Sequence, residues 1–216
     1  MRLRYLGHAC FEVQARDGCR ILLDPYRSGA LNGRIRHAPI RSEVDIVAVT
    51  HYHEDHGWIG GLPGQPLVVD EPCTVSGIRF DMSWAPHDCH GGSHMGLSRQ
   101  IRFEVDGVSI LHTGDLGTLP DEEQLARLRP VDLLLLPVGG TYTIGPSEAV
   151  ELVQRLRPRW TVPMHFRHPK VDLEMASRDV FVDALPSDTL VNQVPGSDWI
   201  CQADDPSAVI LLEPAL

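Results

Sequence analysis

Residues 44–57 run Val-Asp-Ile-Val-Ala-Val-Thr-His-Tyr-His-Glu-Asp-His-Gly. The first six are an apolar run with the character of a buried strand. Directly after it His51, His53, Asp55 and His56 place four ligand-type side chains within six residues. A strand that ends in such a cluster holds three imidazoles and a carboxylate on one short loop, as a transition-metal site requires. Imidazole is a borderline nitrogen donor and aspartate a hard anionic oxygen, so the mixture suits zinc, manganese or iron better than calcium. A polar loop that was merely histidine-rich would not need a buried strand in front of it.

Upstream of this stretch, Leu3 to Leu6, Cys10 to Val13 and Arg20 to Leu23 are short apolar strands, with Asp17-Gly18 as the turn between the last two. Asp24-Pro25 ends the third, and a loop rich in Gly and Arg follows to about Ser42. Downstream, residues 57–63 start like a short helix that their glycines and proline break. Strand-like alternation returns at Leu67 to Val69, Thr74 to Phe80 and Met82 to Ala85, then at 98–105 and 108–112 around Asp106-Gly107. The last third alternates: a helix over Asp121 to Arg129, a buried strand over Val131 to Pro137, and a helix over Pro146 to Arg157. In that last helix Ala149, Leu152, Val153 and Leu156 repeat at helical spacing behind Pro146. A strand over Trp160 to Pro163, a helix around 173–184 and a strand at 208–213 complete the pattern. Strands first and alternating helices and strands later fit a sheet-on-sheet core with helices on its outer faces.

The chain has 216 residues, enough for one domain with a large core over 1–216 and too few for two comfortable ones. Lys+Arg 19 against Asp+Glu 29 gives a net charge of −10. That disfavours nucleic acid as a partner, since phosphate contacts need clustered positive charge. Arg34, Arg36, Arg41 and Arg99 on the loops hint at a small anionic substrate. The five cysteines are scattered without a Cys-x-x-Cys, the pattern of a reduced chain. No apolar run approaches the ~20 residues that span a bilayer, and no signal-peptide core follows Met1. The expected location is cytoplasmic, away from the membrane.

Further ligand-type residues sit at other strand ends: His87 after Trp84-Ala85-Pro86, Asp115 after His112-Thr113-Gly114, and His165 after Val162-Pro163-Met164. With His51, His53, Asp55 and His56 they number seven, about what two metals sharing one water need. These tokens, together with Asp24-Pro25 and Pro137-Val138-Gly139-Gly140-Thr141-Tyr142-Thr143, resemble the metallo-β-lactamase superfamily. Within it they look most like the small metal-dependent hydrolases near the ascorbate-6-phosphate lactonases. The resemblance spans nearly the whole chain. It implies an α/β fold, the αββα four-layer sandwich, and a dinuclear hydrolase of a small ester, lactone or phosphoester.

Carried onto this sequence, the resemblance gives His51, His53 and His87 to one metal and Asp55, His56 and His165 to the second, with Asp115 bridging. The two divalent ions would be zinc, or alternatively manganese or iron. Asp55 and Asp115 would then take part in catalysis through a metal-bridging hydroxide. His87, His90 and His94 lie within eight residues, with Cys89 among them. The family's ligand position points to His87, which leaves His90 as a proton donor or oxyanion partner of the substrate. The residues after His87 depart from the small Ser/Gly residues of that branch. Asp24 is either a turn former or a partner of a ligand imidazole. His8 and His112 read as structural, and His37 and His168 as surface residues. Two alternatives belong to the same fold: a mononuclear iron dioxygenase, and a metal-binding protein without catalysis.

Overall fold

In the computed structural model, which describes residues 1–216, the chain opens with the strands β1 (Arg2–Gly7), β2 (Cys10–Gln14) and β3 (Arg20–Leu23). A single turn α1 (Ala30–Gly33) precedes β4 (Ile46–Ala48) and β5 (Leu67–Val69). Then come β6 (Cys73–Val75), β7 (Ile78–Pro86), β8 (Leu97–Val105) and β9 (Val108–His112). The last part holds α2 (Glu122–Leu128), β10 (Leu133–Pro137), α3 (Pro146–Leu156), β11 (Trp160–Met164) and α4 (Arg178–Asp183). It ends with β12 (Val191–Gln193), β13 (Asp198–Ile200) and β14 (Ala208–Leu211).

Two mixed sheets face each other, ordered β13-β1-β2-β3-β4-β5 and β12-β14-β11-β10-β9-β8-β7-β6. Strand alternation decides which side chains lie between them. Ile21, Leu23, Ile46 and Ala48 join the main core, whereas Leu22, Val47 and Val49 point to the other side of the first sheet. There they pack against Tyr26, Ile35, Ile40 and Val171 from loop segments. The helices α2 and α3 add Leu125, Leu128, Ala149, Leu152 and Leu156 to the main core, as expected from the helical repeat. The architecture is the expected metallo-β-lactamase sandwich, with loops and the short left-handed turn of α1 covering its first sheet. No helix is long and apolar enough to cross a membrane.

Several local expectations change. Residues 57–63 form turns rather than a helix, because Trp58 N bonds back to Pro25 O and Leu62 N to Ile59 O. The helix near 173–184 is confined to α4, since Leu173 and Met175 are buried and Ala176 N bonds to Gly139 O. The run at 74–80 divides into β6 and β7 at a hairpin turn where Ser76 and Gly77 have φ of 51° and 77°. The strands β12 and β13 are too short and polar to stand out in the sequence.

Strand direction brings the ligand-type residues together. β9, β10 and β11 are parallel, and β7 runs the same way because β8 reverses the chain twice. His87, Asp115 and His165 therefore emerge from the same edge of the second sheet. The loop after β4 meets them across the sandwich, tied by Arg99 N to Thr50 O, while His165 N bonds to His8 O at the end of β1.

Candidate metal centre

Asp24 closes β3 and fixes the loop after β4. Its Oδ1 accepts from Thr50 N at 2.8 Å and its Oδ2 from Thr50 Oγ1 at 2.7 Å. The Thr50 hydroxyl, its proton spent, faces His51 Nδ1 at 2.9 Å and accepts from it. His51 Nε2 is thereby left with its lone pair, 3.0 Å from His53 Nδ1. A tight turn follows, in which His56 N and Gly57 N both bond to His53 O. It directs Asp55 and His56 inward and Tyr52 and Glu54 outward. A side chain at Gly57 would place its Cβ 2.8 Å from His51 O, so the turn needs glycine.

Besides Asp24, His51 and His56, already tied together through the hydrogen bonds of Asp24, two ligand groups result, each with its ligand-type atoms within 4.8 Å of one another. One is His51, His53 and His87; the other is Asp55, His56 and His165, joined by His8. Asp115 Oδ2 lies between them, 3.2 Å from His87 Nε2, 3.1 Å from His56 Nε2 and 3.4 Å from His165 Nε2. Asp115 is itself held by Ser98, whose Oγ accepts from Asp115 N at 3.1 Å.

The protons of His51, His56 and His87 are accounted for elsewhere. His56 Nδ1 donates to Asp24 Oδ2 at 2.9 Å and His87 Nδ1 to the Tyr142 carbonyl at 3.2 Å. Buried and without a hydrogen-bond partner at this centre are His56 Nε2, His87 Nε2 and Asp115 Oδ1, with His8 Nδ1 and His165 Nδ1 beside them. Lone pairs of imidazole and carboxylate converge with no donor between them. Unpaired acceptors of this kind are costly inside a protein unless a cation satisfies them. The donor set, nitrogen with carboxylate oxygen, fits a borderline divalent metal.

The electrostatics divide the rings: His51 and His165 are pushed down, whereas against burial Asp115 drives His56 and His87 up. Burial pushes the His51 and His165 imidazoles down to about 3, which keeps them neutral at pH 7, the form that binds metal. Burial opposes charge on Asp55 and Asp115 as well. In Asp55 the neighbouring His56 and the bond from His8 outweigh it, and in Asp115 His165 and His56 do, so both stay below the usual carboxylate range. Asp24 is likewise held low against its burial by His112 and His56. His56 is driven up despite burial because Asp115 and Asp55 face it. The pocket thus attracts positive charge at His56 Nε2.

Seven residues named from the sequence, His51, His53, Asp55, His56, His87, Asp115 and His165, are brought together. His90 is not. It is exposed, packs against the ring of His94 at 4.4 Å and does not line the cleft. Asp24 is a hydrogen-bonding partner of ligand-type residues as well as a turn former. His112 spends both ring nitrogens on backbone, at Ala9 O and Gly114 N. His8, read as structural, donates from Nε2 to Asp55 Oδ2 at 3.0 Å. His37, expected at the surface, is fully buried beneath Tyr26 and bonds the Leu216 carbonyl at 2.6 Å. Thr50 and Ser98 escaped the sequence reading because a lone hydroxyl carries no spacing signal. Glu54 escaped it because its neighbours, both of ligand type, hid it.

Comparison with known proteins supplies an independent line. A family model described as a β-lactamase superfamily domain matches residues 2–165. A UPF0173 metal-dependent hydrolase of Methanoculleus marisnigri is 34% identical over 192 residues, covering 77% of this chain and 81% of that protein. The corresponding protein of Thermococcus onnurineus is 34% identical over 195 residues, covering 77% and 84%. Among solved structures, a candidate zinc-dependent hydrolase of the metallo-β-lactamase superfamily from Thermotoga maritima superposes with a TM-score of 0.77. It is 27% identical, with 98% of this chain and 97% of that one covered.

Proposed function

This chain belongs to the metallo-β-lactamase superfamily, in its branch of metal-dependent hydrolases, and from that premise we propose that it holds two divalent cations and hydrolyses a small ester, lactone or phosphoester. His51, His53 and His87 would hold one cation, Asp55, His56 and His165 the other, and Asp115 would face both. The observation that carries this reading is the set of unpaired buried lone pairs around Asp115. Zinc suits the mixed nitrogen and oxygen donors, with manganese next.

When bound, two such cations supply a shared water whose pKa falls from about 15.7 towards 7 and polarise the scissile oxygen. The chain's own groups do the positioning. Asp24 keeps the His56 proton on Nδ1, Thr50 keeps the His51 proton on Nδ1, and the Tyr142 carbonyl keeps the His87 proton on Nδ1. Each turns Nε2 to the centre. His8 holds its own proton on Nε2 against Asp55 Oδ2, which fixes the carboxylate's orientation. Tyr142 and Met95 line the cleft above these residues.

The test is elemental analysis of the purified protein and of Asp115→Asn. The wild type should carry about two equivalents of zinc or manganese per chain. Asp115→Asn should lose at least one of them while keeping its secondary structure by circular dichroism. Unchanged metal content in the variant would sink the ligand assignment.

A further inference from the structure

A cleft of about 510 Å³ opens over the metal-type residues, and Arg34 is the one arginine or lysine that lines it. The other candidates named from the loops are occupied or elsewhere. Arg99 lies over Trp84 at 4.2 Å and bonds Thr50 O at 3.1 Å, and Arg36 and Arg41 do not line the cleft. The single glutamate of the cleft wall, Glu54, is already paired. Its Oε1 takes Arg27 Nη1 at 2.7 Å and its Oε2 accepts from Leu31 N at 3.2 Å. Arg34 has no such partner: its side chain makes no ion pair and no hydrogen bond.

The backbone around Arg34 is pinned from two sides. Gly29, Leu31, Asn32 and Gly33 all have left-handed backbone, with φ of 81°, 53°, 58° and 83°. For Leu31 and Asn32, which carry a Cβ, such a backbone persists only where surrounding contacts over-determine it. Here Glu54, set between His53 and Asp55, holds Leu31 N. Gly29 N bonds Ile35 O at 2.8 Å, and Asp172 N bonds Arg34 O at 2.9 Å. Ile35 is fully buried and pairs with Val171. The turn that carries Arg34 is therefore latched to the metal-type loop through Glu54 and to the segment bearing Leu173, another wall of the cleft.

We propose that Arg34 is the specificity-determining residue of this cleft and that the substrate carries an oxyanion, carboxylate or phosphate, apart from its scissile bond. This rests on the metal-dependent reading above, because Asp55 and Asp115 are then compensated by the cations and Arg34 is left as the free charge of the wall. A guanidinium fork on a pinned turn matches the two oxygens of either group. Leu31 and Leu173 beside it favour a short apolar connector between that anion and the scissile group.

The test uses metal-loaded protein and two probes, glutarate and glycerol 3-phosphate, titrated calorimetrically against wild type, Arg34→Ala and Arg36→Ala, with metal content measured on the same samples. Arg34→Ala should weaken at least one probe about ten- to hundredfold, and Arg36→Ala should leave both unchanged. Which probe is lost tells carboxylate from phosphate. Equal affinity in wild type and Arg34→Ala, an equal loss in Arg36→Ala, or no binding to wild type at millimolar concentration overturns the proposal while full metal content leaves the hydrolase reading standing. Wild type with less than one equivalent of metal fails that reading, and the anion site falls with it.

Discussion

An imidazole offers a lone pair to a cation only if its other nitrogen keeps the proton, and Asp24 enforces this at His56 while Thr50 does so at His51. One fully buried carboxylate thus arranges two rings, because Thr50 itself donates to Asp24. Asp24→Asn keeps the shape but places an amide where a carboxylate accepts three protons. Metal affinity should fall about ten- to hundredfold, as loss of such supporting bonds does elsewhere, and competition with a chromophoric chelator measures it. Wild-type affinity in Asp24→Asn would show that these rings are oriented by packing alone. At this scale the sequence was generous with ligands, since His-x-His-x-Asp-His is a spacing signal. It was silent on Thr50, Ser98 and Glu54, whose roles exist only through what faces them.

Among the elements, the segment after β7 departs furthest from the simple expectation. Residues 88–96 are wrapped around one side chain: Asp88 Oδ1 accepts from His90 N and Gly92 N, and Oδ2 from His94 N and Met95 N. Together these four bonds hold the carboxyl well below the usual carboxylate range against the opposing effect of burial. The loop that follows His87 is therefore built as a compact knot, and its histidines point outward because their backbone points inward. Asp88→Ala should let the amides of residues 90–95 exchange at least about tenfold faster, as hydrogen exchange would reveal. Protection equal to wild type would mean that the loop is held by other contacts. Because the carboxyl is depressed, the knot should persist as pH falls through the ordinary carboxylate range near 3.9 and loosen only below it. Elements with strong periodicity, such as α3 and β10, were legible from the sequence. β12, β13 and the confinement of α4 were not, since three-residue strands and buried extended segments are decided by their partners.

For the molecule as a whole, the two sheets deliver residues from positions 8 to 165 to one edge, and the outer side of the first sheet is sealed by loops around His37. Burial pushes that imidazole down to about 4, helped by His8, His168 and Lys170 and opposed by its bond to the Leu216 carbonyl. Its folded pKa lies below the unfolded value near 6.5, so its contribution is complete above that pH and is lost as pH falls towards 4. The unfolded chain then takes up a proton that the folded chain refuses, worth at most about 3 kcal/mol. Urea midpoints of wild type should therefore drop more steeply between pH 7 and 4.5 than those of His37→Gln, and parallel profiles would refute this. The sequence by itself determined the sandwich, the metal-type loop and the seven ligand-type residues, because strand periodicity and ligand spacing are local properties of the chain. Only the tertiary structure decided that His90 stays outside, that His37 is buried and that Arg34 alone of the arginines lines the cleft. Those outcomes depend on strand direction and on which loops seal each face, and no local spacing encodes either.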